Sequence, residues 1–195
     1  VRQYADGPYF SHILGYAGRV SEENMENSAD FSSIDYVGKS GVEQTYDAGL
    51  RGLNGAIEME IDSVSRLKKE KKARDEISGS NAVLTIDSGL QKKIADTLAF
   101  QMESTPSATG AAAVALDPKT GAILALVSLP SYDNNIFSTS ASLGSYGELE
   151  RDPAKPFFNR AVTGQYPSGS SIKPFVAAAA LEEKTIAKNT SIVST

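Results

Sequence analysis

Apolar and polar residues alternate along this chain with several different periods. The longest helical repeat is Leu90, Ile94, Leu98 and Met102, one stripe with polar residues between its members. It predicts a helix capped by Asp87 or Ser88, whose side chains can accept a first-turn amide. Val42, Tyr46 and Leu50 stand at i, i+4 and i+8, which predicts a short amphipathic helix over 41–50 stopped by Gly52. Ile57, Met59 and Ile61 alternate with Glu58, Glu60 and Asp62, the pattern of a half-buried strand. The run from His12 to Tyr16, interrupted by Gly15, predicts a strand with His12 in it, and 83–86 predicts another. Residues 111–116 and 122–129 are apolar at nearly every position, which predicts strands covered on both faces. Asp117-Pro118-Lys119-Thr120-Gly121 joins them. Proline suits the second turn position and glycine tolerates positive φ, so a hairpin is expected. The polar stretch 21–33 reads as a surface loop or a frayed helix, and 105–110 and 130–156 read as loops, the last long enough to be functional. Asp133-Asn134 within it reads as turn chemistry rather than a calcium cradle.

Composition narrows the function classes. Twenty-four acidic against 19 basic residues give a net charge of −5, which argues against a nucleic-acid partner. There is no cysteine, hence neither a disulfide framework nor a thiolate metal site. The single histidine, His12, is far in sequence from any candidate nucleophile. No apolar run approaches the ~20 residues of a membrane span. Neither a phosphate loop nor a metal-ligand set is apparent, and no cofactor is implied.

The candidate chemistry lies near the end, in Tyr166-Pro167-Ser168-Gly169-Ser170-Ser171-Ile172-Lys173-Pro174-Phe175. Ser170 and Lys173 are three residues apart, so a helix places both side chains on one face. A serine hydroxyl needs a neighbouring base to become a nucleophile. A lysine amine can serve only where desolvation or nearby positive charge disfavours its ammonium. Pro174 lacks an amide and fits only a first helical turn, which sets a helix start close to Ser170. Gly169 leaves room for a substrate backbone, and free amides at the helix start would stabilise an oxyanion. The following 176–181 is almost wholly apolar and predicts a buried helix. A second Ser-x-x-Lys, Ser65 to Lys68, lies in a charge run without glycine, proline or an apolar continuation, and carries no chemistry on this reading.

The stretch from Asn159-Arg160-Ala161 through Gly164 to Pro174 resembles the active-serine segment of class B penicillin-binding proteins, most closely their elongation-type transpeptidases. Gly38-Lys39-Ser40-Gly41-Val42-Glu43, with Tyr46-Asp47 and Leu50-Arg51-Gly52, is similar to that family's pedestal signature. Leu84-Thr85-Ile86-Asp87 with Leu90-Gln91, and then Asp117 to Gly121 through Ser131-Tyr132-Asp133, resemble the entry and first hairpin of its transpeptidase domain. The resemblance implies an α+β chain. Residues 1–80 would be the later part of a β-rich pedestal (dimerisation) domain. Residues 81–195 would be the first part of a transpeptidase domain of helices on an antiparallel sheet, with the boundary at 77–81. It also favours extended structure over 64–76, where propensity alone favours helix.

The activity implied is acyl transfer on D-alanyl-D-alanine stem peptides, with Ser170 as nucleophile, Lys173 as base, and Gly169 and Ser171 lining the substrate. The implied partners are peptidoglycan stem peptides, β-lactam antibiotics, and a cell-elongation glycosyltransferase with its scaffold proteins. The implied location is the extracytoplasmic face of the bacterial inner membrane, through an N-terminal anchor. The family's site also uses Ser-x-Asn and Lys-Thr-Gly motifs downstream of the serine. Here nothing of that kind follows Ser170, and the Lys119-Thr120-Gly121 letters precede it in a turn. The chain is therefore expected to be a fragment, inactive alone, in which the apolar faces of 111–129 and 176–181 lack their covering. The alternatives are a penicillin-recognising relative (a D,D-carboxypeptidase, serine β-lactamase or antibiotic sensor) and a non-catalytic cell-wall assembly module.

Overall fold

Residues 7–14 form helix α1 (Gly7–Leu14) where a strand was expected around His12. Pro8 sits in the first turn, where its missing amide costs nothing. Gly15, at φ 70°, closes the helix with its N–H on the Ser11 carbonyl. The buried face is made by Gly7 and Ser11, small residues that a hydrophobic period does not register. The computed structural model to which this belongs describes residues 2–21, 31–32, 34–63, 66–138 and 143–191. Most of the predicted 21–33 loop, and Ser65, lie outside them.

Strand β1 (Ala17–Arg19) pairs antiparallel with β2 (Tyr36–Gly38). The helix predicted over 41–50 is two short ones, α2 (Gly41–Thr45) and α3 (Asp47–Arg51), broken at Tyr46. Its buried residue is Glu43, not the apolar stripe. Arg2 Nε lies 3.2 Å from the Glu43 carboxylate, and the Tyr4 hydroxyl donates to it at 3.5 Å. That hydroxyl also accepts the Ala17 amide, and burial pushes the Tyr4 pKa up to about 12.

Strands β3 (Ala56–Ile61) and β4 (Leu67–Arg74) form an antiparallel ribbon, the extended structure expected there. The expected half-burial is absent: Ile57 is 56% and Met59 65% exposed. Residues 83–86, expected as a strand, form none and bend at Thr85. The Thr85 hydroxyl donates to the Ile123 carbonyl at 2.7 Å and the Asp87 amide to Leu124 at 2.8 Å, and these bonds tie the segment down.

Helix α4 (Ser88–Glu103) starts as predicted, with Asp87 Oδ1 accepting the Leu90 amide at 2.8 Å. It packs on the hairpin of β5 (Ala111–Leu116) and β6 (Ile123–Leu129). The hairpin turn closes through Gly121 N–H to the Asp117 carbonyl, with Gly121 at φ 75°. β6 holds the core, with Ala125, Val127 and Ser128 buried. β5 alternates half-buried and exposed, so the two covered faces its apolar run predicts are not both present, as expected of a fragment. Helix α4 covers one face of both strands, and α1 adds cover only on β6.

The expected 130–156 loop is partly ordered. It contains a 3-10 turn (Asn134–Phe137) and helix α5 (Leu143–Arg151). Tyr132, Phe137, Tyr146 and Phe157 meet there, and Tyr16 stacks on Phe137 at 3.6 Å. These rings are too widely and irregularly spaced to form any sequence period. By internal contacts the chain divides into two compact units, Val1–Thr163 and Gly164–Thr195.

Candidate active site

The second unit carries the Ser-x-x-Lys segment. Gly169 to Ile172 form a 3-10 turn that runs directly into helix α6 (Lys173–Glu182). Pro174 sits in the first turn of α6, as its missing amide requires. Gly169 has φ 54°, and a Cβ built there would meet no atom within 4 Å. The glycine is therefore set by backbone conformation rather than by crowding. The Lys173 amide donates to the Ser170 carbonyl, so the two residues close a single 3-10 turn. In a 3-10 turn the side chains at i and i+3 eclipse, which sends Ser170 and Lys173 out on one side. Both side chains are exposed, and among the described residues no hydrogen bond joins their reactive atoms.

The neighbouring groups are less free than a bare helix start would leave them. The Ser171 amide and the Ser171 hydroxyl both donate to the Ser168 carbonyl. Ser171 thus clips the turn, and the amides of Ser171 and Lys173 already have acceptors. Helix α6 is not buried as its composition alone predicts, but uncovered as a fragment is expected to leave it. Every residue in it but Ala180 is exposed, Phe175 by 71%. Among its described residues the unit has no second layer, and one helix with turns cannot cover an apolar face.

In the first unit, His12 is a packing residue. Its ring meets Tyr132 edge-on at 5.3 Å, its carbonyl accepts Asn159 Nδ2, and burial lowers its pKa. The Lys119-Thr120-Gly121 letters lie in the β5–β6 turn. There the Asp117 carboxylate accepts the Lys119 amide at 2.9 Å and the Thr120 hydroxyl at 2.7 Å. Lys68, of the second Ser-x-x-Lys copy, is on exposed β4.

Three polar residues that sequence motifs contain, but to which no pattern assigns a packing role, fix this unit. Gln91 is 1% exposed. Its amide nitrogen donates to the carbonyls of Tyr9 and Leu126, and its oxygen accepts the Leu126 amide, each at 2.8 Å. It thereby ties α1, α4 and β6 together. Asn134, fully buried, donates to the Gly15 carbonyl at 2.7 Å. The Arg160 guanidinium donates to the carbonyls of Ala154, Lys155 and Phe158, and its own amide donates to Ser128 Oγ. It clamps the turn just before the active-serine segment, around Lys155 at φ 50°. The one available signal for Gln91 was its place beside Leu90 on the inner edge of the α4 stripe.

A family model described as penicillin-binding protein dimerisation domain matches residues 1–84, and one described as penicillin-binding protein transpeptidase domain matches residues 111–195. The chain belongs to the penicillin-binding proteins. Its α+β make-up is that family's, a dimerisation segment followed by a transpeptidase segment of helices on an antiparallel sheet. The peptidoglycan D,D-transpeptidase MrdA of Haemophilus influenzae is 37% identical over 98% of this chain, which covers 29% of that relative. MrdA of Escherichia coli K12 is 35% identical over 98% of this chain, which covers 30% of it. The crystal structure of Pseudomonas aeruginosa PBP2 in complex with WCK 5153 is similar with a TM-score of 0.78 at 35% identity, over 97% of this chain and 37% of that one. A complex between PBP2 and MreC from Helicobacter pylori also gives 0.78, at 28% identity, over 97% and 34%. The chain thus spans about three-tenths of the length of the curated relatives it matches.

Proposed function

We propose that these residues carry the nucleophile of a serine D,D-transpeptidase that cross-links peptidoglycan. The observation that supports this is the single turn closed by Ser170 and Lys173 at the mouth of α6, within the segment matched by the transpeptidase model. In the proposed reaction, Ser170 Oγ attacks the carbonyl of the penultimate D-alanine of a stem peptide while the Lys173 amine takes the hydroxyl proton. The tetrahedral oxyanion is held by the Ser170 amide and a second donor. It collapses with loss of terminal D-alanine, which leaves with a proton. An ester on Ser170 remains, and the amine of a second stem resolves it into the cross-link. β-Lactams enter by the same attack and leave an acyl-enzyme. Gly169 and Ser171 border the acyl group.

Residues 1–80 serve as pedestal and 81–195 as the start of the transpeptidase domain. The whole protein works at the extracytoplasmic face of the inner membrane, held by an N-terminal anchor. Among the described residues no helix is long and apolar enough to cross a membrane. Its partners are the elongation glycosyltransferase and scaffold proteins; the H. pylori PBP2–MreC complex is the precedent for a scaffold partner.

The 195-residue chain, lacking the family's later motifs, is expected not to react with a fluorescent penicillin. A protein of the relatives' full length is expected to label, with Ser170→Ala abolishing labelling and Lys173→Ala slowing it by about 10²–10⁴-fold. Labelling that persists in full-length Ser170→Ala overturns the assignment. Efficient labelling of the 195-residue chain overturns the claim that it is inactive alone.

A further inference from the structure

Asn54 and Gly55 are the chain's one Asn-Gly pair. They lie between Leu53, whose amide and carbonyl both bond Ile77, and the start of β3 at Ala56. The glycine is required by crowding. A Cβ there would stand 3.2 Å from the Glu76 amide nitrogen and 3.3 Å from the Arg74 carbonyl oxygen. Among the described residues the Gly55 amide donates to no acceptor. An amide with no side chain beside it, next in sequence to a carboxamide, can close a five-membered ring onto that carboxamide. Two charged groups hold Asn54. The Asp35 carboxylate accepts its Nδ2 on both oxygens at 3.2 Å, and Arg74 Nε donates to its backbone carbonyl at 3.0 Å.

We propose that Asn54 is a self-modification site, converted through a cyclic imide into isoaspartate, with Asp35 slowing the first step and Arg74 directing the second. In the first step the Gly55 nitrogen attacks Asn54 Cγ and gives up its proton. The Cγ–Nδ2 bond breaks, and the side-chain nitrogen leaves with that proton as ammonia. To leave, it must give up the Asp35 carboxylate, so that contact holds the reaction back. In the second step water opens the imide at one of its two carbonyls, its oxygen going to carbon and a proton to the Gly55 nitrogen. Opening at Cγ gives aspartate, whose carboxylate stands where the carboxamide met Asp35, like charge beside like charge. Opening at the backbone carbonyl gives isoaspartate, whose free carboxylate is on the carbon whose oxygen Arg74 already holds. A donor on that oxygen also stabilises the oxyanion formed when water attacks there. Both effects favour isoaspartate. The chemistry needs two consecutive residues and water, and no open face. Its product has one more main-chain carbon between the Leu53–Ile77 bridge and β3, which displaces the foot of the ribbon from that bridge. The inference is independent of the chemistry proposed for Ser170.

The test uses a protein of the relatives' full length and, as reference, a free peptide of residues 50–58. Both are aged at neutral pH in heavy-oxygen water, and the protein is then digested. Mass spectrometry with fragmentation that separates aspartate from isoaspartate reads position 54. In the folded protein Asn54 is expected to give way to a residue carrying one heavy oxygen. The ratio of isoaspartate to aspartate is expected to exceed that of the free peptide by about 3-fold or more. Arg74→Gln is expected to return the ratio to the peptide's value. Asp35→Ala is expected to speed the loss of Asn54 by about 3- to 10-fold, the worth of one hydrogen bond. Asn54→Gln is expected to give neither product, because its ring would have six members. Three results overturn the proposal: Asn54 unchanged in the folded protein over a period in which the free peptide converts; a product ratio equal to the peptide's; or a loss of Asn54 no faster in Asp35→Ala.

Discussion

Two antiparallel hairpins of similar length stand in this chain under opposite conditions. β5–β6 carries α4, and its Ala125 is completely buried; β3–β4 alternates regularly in β3, yet every residue of the two strands but Ala56 is exposed. Alternation predicts β3, the family resemblance favours extended structure over 64–76, and two apolar runs about the 117–121 turn predict β5 and β6. None of these settles burial, because such patterns report a preference for a covered surface and not the presence of a cover. What separates the two is a polar residue. Gln91 binds the Leu126 backbone in both directions and reaches back to Tyr9, fastening a helix onto one hairpin. Among the described residues nothing similar faces the other.

The largest expected effect comes from removing that fastening. Gln91→Leu keeps the volume but strands the Leu126 amide and two carbonyls, at about 3 kcal/mol in chemical denaturation. A change below about 1 kcal/mol would mean that packing alone holds α4 on the hairpin. The comparison itself is sharpened by a matched pair of truncations. Val127→Ala, in the covered hairpin, is expected to cost about 2 kcal/mol. Met59→Ala, in the bare ribbon, is expected to cost less than about 0.5 kcal/mol. Equal costs would show that the ribbon is covered in solution.

The same contrast explains what could be read from the residues alone. The cap at Asp87, the α4 stripe, the 117–121 turn and the placement of Pro174 are local: each follows from the chemistry of a few consecutive residues. Helix α1 was misread because its buried face is Gly7 and Ser11, and the 130–156 segment because its order rests on rings that meet from distant positions. Burial of α6 was inferred from composition, and its exposure shows that apolar content cannot supply a missing layer. For the candidate site, the sequence located the Ser170–Lys173 pair and the turn that unites them. It overestimated the free amides beside Ser170, since it could not foresee that Ser168 accepts both the amide and the hydroxyl of Ser171.

The smallest expected effect concerns how each hairpin ends. The Lys119 amide, chiefly, and the Thr120 hydroxyl hold the Asp117 carboxyl below its ordinary value of 3.8. At the foot of the ribbon, Glu76 is also lowered, first by its own amide and then by Lys72. For both acids the folded value is the lower one. Their contribution to stability is therefore present above the ordinary carboxylate range and disappears as pH falls through the folded value. The donors differ in kind, and that separates the two sites. Asp117 is held by uncharged groups, so its titration midpoint, followed by carboxyl NMR, is expected to stay put as salt rises. The Lys72 share of the Glu76 shift is exposed and should be screened, moving that midpoint upward. Thr120→Val is expected to raise the Asp117 midpoint part of the way, because the Lys119 amide remains. A midpoint for Asp117 that moves with salt as far as that of Glu76 would mean that the hairpin turn is held by charge rather than by its hydrogen bonds, and the distinction between the two sites would fall.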